Sequence, residues 1–478
     1  MESPVRRLVL LVCLAAGFAL ALALPAAGST TPLLSASARA AQARLIASEA
    51  LSSLADKAGP SDSQWYADGV WHSKDKACWF CATGPATLAA TLWRVNGRTD
   101  PRLYKKAVAT FDRTIAAKRN SNGSFGEQSL PNTQFFGVEL GTTYLLLGNR
   151  LGPKHRVAWR TSIAGAADYL IRHGDLTWAT NGNINLGNTE LEWLAWAITG
   201  KQRFRNAYEL SWRYTIHPPQ TRWPGYGLHI TREATGTKGA GLGAGYLAES
   251  GGKRPGFDPE YTMLQLSVAS RAYLLSHDPR FRWLANMLWN QLSPLVKRPA
   301  WTLDARNGTR RSNLDMLTTP GMAVLATAGG RNDLLPSLDS QISTAMYTTY
   351  LQNARQNWGN ASIYRGYGNE LGVALLALAS PPETGMRLAA ALGSPLPGSD
   401  TRRVAAFITP AGVRVSWHAV HSDGRHSDPV NVLVDGRIVK RLRGSRTLLR
   451  LAPGLHQISI AAKGLQPGVS TVLTVPAS

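Results

Sequence analysis

The chain has 478 residues, 44% of them hydrophobic and only 17% charged, with 45 Gly and 27 Pro. This composition excludes a disordered polyelectrolyte and calls for many short connections between packed elements; the length allows one large core plus a smaller module, since cores stop growing near roughly 250–300 residues. A formal charge of +22 asks for an anionic partner, and no zinc finger, RNP-like signature or basic recognition helix is present, so nucleic acid is set aside and an acidic polysaccharide or cell-envelope glycan is expected.

Residues 1–35 read as an export signal: "MESPVRR" gives a basic start, "LVLLVCLAAGFALALALP" an apolar run, and "AAGST" or "SASARA" a small-residue exit. A retained anchor is the rival, because the run nears the length needed to span ~30 Å. Cleavage would leave a secreted or envelope-associated protein with no stable membrane embedding. Of the three cysteines, only Cys78 and Cys81 then remain, in "CWFC". With no second Cys pair for zinc and no βαβ pattern around them, a local disulfide or two packed thiols is expected.

Residues 38–57 predict an amphipathic helix, with Leu45, Ile46, Leu51 and Leu54 on one face. After a Trp-rich loop, helix pairs are predicted at 80–95 with 102–118, 132–148 with 156–173, 188–199 with 202–216, 258–277 with 279–293, and 312–328 with 335–353. A last helix at 369–380 has no successor. The first helix of each later pair opens near Asn or Asp and runs apolar and small, as in "NTELEWLAWAITG"; the second is polar and Arg-rich, as in "QRFRNAYELSWRYTI". Such alternation describes inner and outer rings, and pairing 38–57 with 369–380 makes an (α/α)6 toroid, complete or incomplete, over 38–395. A linear helical solenoid competes. Long Gly-rich breaks at 217–257 and 295–311 are of a length usually kept for function. "GTKGAGLGAG" lacks the Gly-Lys-Ser/Thr ending of a phosphate loop and reads as a rim.

Residues 381–400 are a Pro/Gly/Ser boundary. Beyond it the period becomes two, and about seven short strands over 401–478 predict an immunoglobulin-like β-sandwich carrying eleven Arg or Lys against three Asp. Trp417 in "VRVSWHA", "VNVLVDG" and "LLRLAPGLHQISIAAKGLQPG" resemble a fibronectin type III module, although the usual penultimate-strand tyrosine is absent near His456 or Gln457. The helical region resembles α/α-toroid enzymes acting on polysaccharides, the lyases in particular, in "NTELEWLAWAITG" and "FDPEYTMLQLSVASRAYLLSHDPRF". Glycoside hydrolases share that fold class.

The resemblance implies elimination on a uronate polymer, with an Asn neutralising the carboxylate and Tyr and His partners. Asn181, Asn183, Asn185 or Asn188 match the first role, and Tyr226 and His229 the others. The asparagines precede a helix whose free N–H groups favour an anion. "RWPGYGLHITR" spaces Trp223, Tyr226, His229 and Arg232 by three. Arg222, Trp223, Arg232, Trp193, Trp196 and Arg365 are the candidate substrate-binding residues, arginine for its bidentate grip on carboxylates. Core packing competes for the tryptophans, and a capped polar turn for the asparagines.

A hydrolase instead needs two carboxyl groups roughly 5–9 Å apart. Candidates are Glu139, Glu190, Glu192, Asp258, Glu260, Asp315 and Glu370, most near the starts of inner helices. The charge favours an acidic polymer and thus elimination. A non-catalytic envelope binder is the third class. With no His-Glu-x-x-His and only a partial calcium-like "DARNG", neither metal nor cofactor is expected.

Overall fold

The computed structural model describes residues 33–53, 64–73, 79–127, 130–173, 181–232, 243–250, 255–297, 302–304, 308–309, 315–317, 319–340, 342, 367–379, 400–409, 411–420, 430–435, 437–462 and 470–476. Residues 1–32 of the expected leader and the 381–399 boundary lie outside them.

Six helices form an inner ring: α2 (Thr83–Val95), α4 (Leu130–Leu147), α6 (Gly182–Thr199), α8 (Pro259–Ser276), α10 (Thr319–Ala326) and α12 (Tyr367–Ala379). Each packs on the next, and α12 packs back on α2, so the ring is closed. The outer helices are α1 (Ala36–Ser53), α3 (Pro101–Lys118), α5 (Pro153–Arg172), α7 (Gln202–Ile216), α9 (Pro279–Leu292) and α11 (Leu335–Ser340). The first helix, α1, lies against the last, α12. Arg39 on α1 and Asp339 on α11 form a two-point ion pair, and Asp339 also accepts the Leu34 N–H at 2.8 Å, clasping the two ends of the outer layer. This is the (α/α)6 toroid expected from the sequence, and the closure sets aside the solenoid.

Chemistry at the turns explains the hairpins. Asp100, Asp258 and Asp278 each cap a helix whose next residue is proline, accepting the N–H of Arg102, Tyr261 and Arg280. Gly200 ends α6 in the left-handed conformation that glycine adopts without steric cost. The short connections 96–100, 148–152, 200–201 and 277–278 all follow inner helices, so they gather at one end of the ring. The longer returns, which follow the outer helices, leave and rejoin the ring at the other end, at the inner N-termini.

Two boundaries differ from expectation. The predicted helix at 312–328 starts only at Thr319, and Asp315–Leu317 is a strand, β7, pairing with β6 (Thr302–Asp304), which pairs with β5 (Val296–Lys297). Pro320 fixes that start, because proline is tolerated only in the first turn. Helix α6 begins six residues before the predicted 188, taking in the asparagines. Burial of the whole helix overrides the poor helical propensity of "GNINLGN". Of the predicted 335–353 helix, most of 341–353 lies outside the described residues.

The ring is tight. A Cβ on Gly182 would stand 2.3 Å from the Leu247 Cβ. Gly182→Ala is therefore expected to cost about 1–3 kcal/mol by overpacking, measured as a lowered urea midpoint; an unchanged midpoint would show that the 247–250 segment yields freely.

Two small hairpins complete the toroid, β1 (Gln64–Ala67) with β2 (Val70–Ser73), and β3 (Leu228–Arg232) with β4 (Ala244–Leu247). The C-terminal strands β8 (Asp400–Thr409), β9 (Gly412–Val420), β10 (Val430–Val434), β11 (Arg437–Leu442), β12 (Arg446–Leu449), β13 (Gly454–Ala462) and β14 (Ser470–Val475) make sheets ordered β12-β9-β8 and β11-β10-β13-β14. Alternate residues Val430, Val432 and Val434 point inward and join Val413, Val415, Ile458 and Ile460 around buried Trp417.

Candidate functional site

The loop-bearing end of the ring holds the N-terminus of α6, and its sequence neighbours there are met by the segment after β4. Asn181 Oδ1 accepts from the Ser250 N–H at 3.2 Å and its hydroxyl at 2.5 Å, so its side chain fastens the loop and leaves the helix uncapped. Glu249 takes over the capping task. Its Oε1 accepts the Asn183 N–H at 2.9 Å and the Gln265 amide at 2.7 Å. A carboxylate at this position already satisfies the helix dipole that was expected to attract a substrate anion.

Successive residues of α6 face different neighbours. Gly187 lies against Gln134 and Leu191 against Gly137, both on α4. Thr189 bonds Ser211 and Thr215 on α7, and Glu190 reaches Arg271 on α8. The 100° step between residues then turns Asn185, Asn188 and Glu192 toward the crease between α6 and the outer helices, away from the axis. Only Asn183, on the Gly187–Glu190 side, faces inward. Asn188 has both side-chain polar atoms buried without a hydrogen bond, as do the carbonyl oxygens of Asn183 and Asn185.

Around the axis sits a buried polar layer. Arg271 donates from Nε and Nη2 to the two oxygens of Glu190, at 2.7 and 2.6 Å. Burial raises the Glu190 carboxyl, and the Arg271 charge opposes that rise. Glu139 is pushed up to about 8, mainly by burial, against the pull of the Thr83 hydrogen bond and of Arg271. The hydroxyl of Thr83 has one proton and two contacts, the Phe80 carbonyl at 2.6 Å and a Glu139 oxygen. The Thr83 hydroxyl also donates to the Glu139 carboxyl, a bond that favours the ionised form, and burial outweighs it. Burial thus favours the neutral carboxylic acid at this position. Asp258 is the α8 cap and also accepts from the Thr309 hydroxyl at 3.2 Å. Glu260 is half-buried in the first turn of α8. The side chains of Asp315 and Glu370, and all of Arg365 and Cys78, lie outside the described residues; Cys81 is disulfide-bonded.

The second predicted segment folds as β3 on the same end. His229 pairs with Tyr246 across the hairpin, their rings stacked at 5.2 Å and 6°. Its Nε2 is 2.7 Å from the Gly225 carbonyl. That carbonyl requires a donor, so Nε2 carries the proton and Nδ1 holds the lone pair of the neutral ring. Tyr246 touches Phe257 at 5.2 Å, and burial raises its hydroxyl above the ordinary value. Tyr226 is half-buried beside Gly225, while Arg222 lies over the Trp223 ring and Arg232 is exposed. His229, Arg232 and Tyr246 share one face of the hairpin, while Arg222, Trp223 and Tyr226 belong to the turn that leads into it. Gly245 and Leu247, on the other face, press against Met287 and Gly182. Strand β4 therefore stands between Asn183 and His229, and the asparagines do not join the Tyr226–His229 group.

Trp193 and Trp196 are buried, Trp196 between Tyr208 and Arg205, so the expected aromatic platform is core. Sequence reasoning missed Tyr246, Glu249 and Arg271. Tyr246 could have been reached through strand alternation opposite His229; Glu249 and Arg271 owe their roles to contacts across the ring and left no local signal.

No protein-family model matches the chain, and no curated protein matches it in sequence. Among solved structures it is similar to a family 76 glycoside hydrolase from a bovine Bacteroides thetaiotaomicron strain, with TM-score 0.36 and 12% identity over 70% of this chain and 77% of that one. Two mutants of an unsaturated glucuronyl hydrolase from Streptococcus agalactiae each give TM-score 0.41 and 13% identity, over 73% of this chain and 93% and 92% of theirs.

Proposed function

We propose that the chain is an exported or envelope-associated enzyme that cleaves an acidic, uronate-containing polysaccharide by β-elimination at the hairpin face of the toroid. The observation that carries this reading is His229. It is oriented by the Gly225 carbonyl and the Tyr246 ring, with Nδ1 as the basic atom. In elimination, Nδ1 takes the proton beside the carboxylate, the electron pair forms the C4–C5 double bond, and the glycosidic oxygen leaves with a proton from Tyr226 or Tyr246. Tyr246, whose hydroxyl burial keeps protonated, suits the acid role. Arg222 and Arg232 replace the asparagines as neutralisers of the substrate carboxylate. The formal charge of +22 fits such a polymer. The C-terminal module, with seven strands in sheets of three and four, supports the fibronectin type III-like reading.

Incubation with uronate polymers is expected to generate the ultraviolet absorbance of an unsaturated product. His229→Ala should lower that rate by roughly 100-fold or more. Full activity in this variant and in Tyr246→Phe would remove the assignment.

Glycoside hydrolysis is the second reading, and one observation favours it: Glu139 is a carboxylic acid held neutral near the axis, the state that a general acid needs. Against it, Glu139, Glu190 and Asp258 are sealed and each already serves a neighbour. Reducing ends released without the absorbance, and lost in Glu139→Gln, would select hydrolysis; tight retention without turnover would select the binder.

A further inference from the structure

We propose that the outer wall of the toroid carries a separate binding groove for a linear anionic polysaccharide, running along the solvent face of α5. A cavity of about 440 Å³ opens there between the 119–123 turn, α5 and the start of α7. Its rim contains five cations, Arg119, Arg160, Arg172, Lys201 and Arg203, against one acid, Asp168. Asp168 is spent on Arg203, through hydrogen bonds of 2.7 and 2.6 Å. Among the described residues of the groove the remaining cations meet no other acid.

Two of them are already positioned. Arg160 donates one Nη2 hydrogen bond to the Thr199 carbonyl at 2.9 Å, and Arg172 donates one to the Asn122 carbonyl at 2.7 Å. A carbonyl holds a guanidinium in place without neutralising it, and a guanidinium has five donors, so most of each fork remains for a ligand. Fixing these long side chains beforehand removes part of the entropy cost of binding. Arg160 and Arg172 are twelve residues apart, about 18 Å along the helix. That separation suits a chain with repeated charges more than a single anion.

The floor fits the same ligand. Thr161, Ala164 and Gly165 present small side chains, and Gly165 touches Gly123 so closely that a Cβ on Gly123 would be 2.4 Å from the Gly165 oxygen. Ser121, Asn122 and Thr161 add neutral hydrogen-bonding groups suited to sugar hydroxyls. Among the described residues no aromatic side chain lines the groove, whereas single-stranded nucleic acids are held largely by base stacking. Charge with hydroxyl recognition and without stacking selects an acidic glycan.

The test is binding of fluorescent oligogalacturonate to the full chain, with a heparin fragment, a neutral glucan oligomer and single-stranded DNA as the other probes. Salt-sensitive binding of the acidic glycans but not of the neutral one is expected. Arg160→Ala with Arg172→Ala should weaken it by roughly tenfold per arginine. Both positions are exposed, so an unchanged thermal midpoint should accompany the loss. The single variant His229→Ala should retain the affinity, which separates this groove from the proposed hairpin site. Undiminished binding in the double variant, no binding by the wild type, or stronger arginine-dependent binding of DNA would overturn the proposal.

Discussion

Arg271→Met should destabilise the toroid by about 3–5 kcal/mol, the cost of leaving one member of a buried ion pair alone. Both oxygens of Glu190 lie in donors from Arg271, and neither residue reaches solvent appreciably. The pair also staples α6 to α8, so the loss concerns ring geometry as well as charge. Urea denaturation should show a lower midpoint with the slope unchanged. Adding Glu190→Gln should restore a large part of the stability, because the stranded charge is then gone. A single variant within 1 kcal/mol of wild type, or a double variant no better than the single, would mean that water reaches Glu190 and solvates it.

Glu139→Gln is expected to change the pH dependence of stability. The folded carboxyl titrates at about 8 against an ordinary 4.5 in the unfolded chain. Below pH 4.5 both states bind the proton and the group is neutral in its effect. Between 4.5 and about 8 the unfolded chain releases a proton that the folded one keeps, so stability falls as pH rises. The full loss is about 5 kcal/mol at 1.36 kcal/mol per unit. Glutamine can accept from Thr83 and does not ionise, so the variant should lack this decline. It should match wild type near pH 4.5 and exceed it by several kcal/mol at pH 8. Equal pH profiles for the two proteins would show that Glu139 is ionised in the fold.

The ring could be read because its signals are local and repeated. Asp-Pro at 258–259 and 278–279 marks two helix starts, Gly200 marks a helix end, and the apolar runs distinguish inner from outer helices. The site was harder to read. "NINLGN" carries the composition of a polar turn, yet burial against α4, α5 and α7 makes it helix, and one further residue of helix rotates each asparagine by 100°. Asn185 and Asn188 thereby lost the role expected of them. His229 lay in a segment singled out by its spacing, but its partner Tyr246 follows a Gly-rich stretch whose return path no short-range rule gives. Trp193 and Trp196 show the same limit, since a stripe three apart looks alike on a platform and in a core.

The clasp between Arg39 and Asp339, with α1 seated on α12, also constrains the order of assembly. Its partners are 300 positions apart, and bringing such distant segments together is slow because chain-closure entropy comes first. A chain released from synthesis without its last inner helix would leave Leu88 and Thr91 of α2, which pack against Gly372, uncovered and open to aggregation and proteolysis. The seam therefore acts as a completeness check: the helices made early, α1 and α2, are covered only after α12 has arrived.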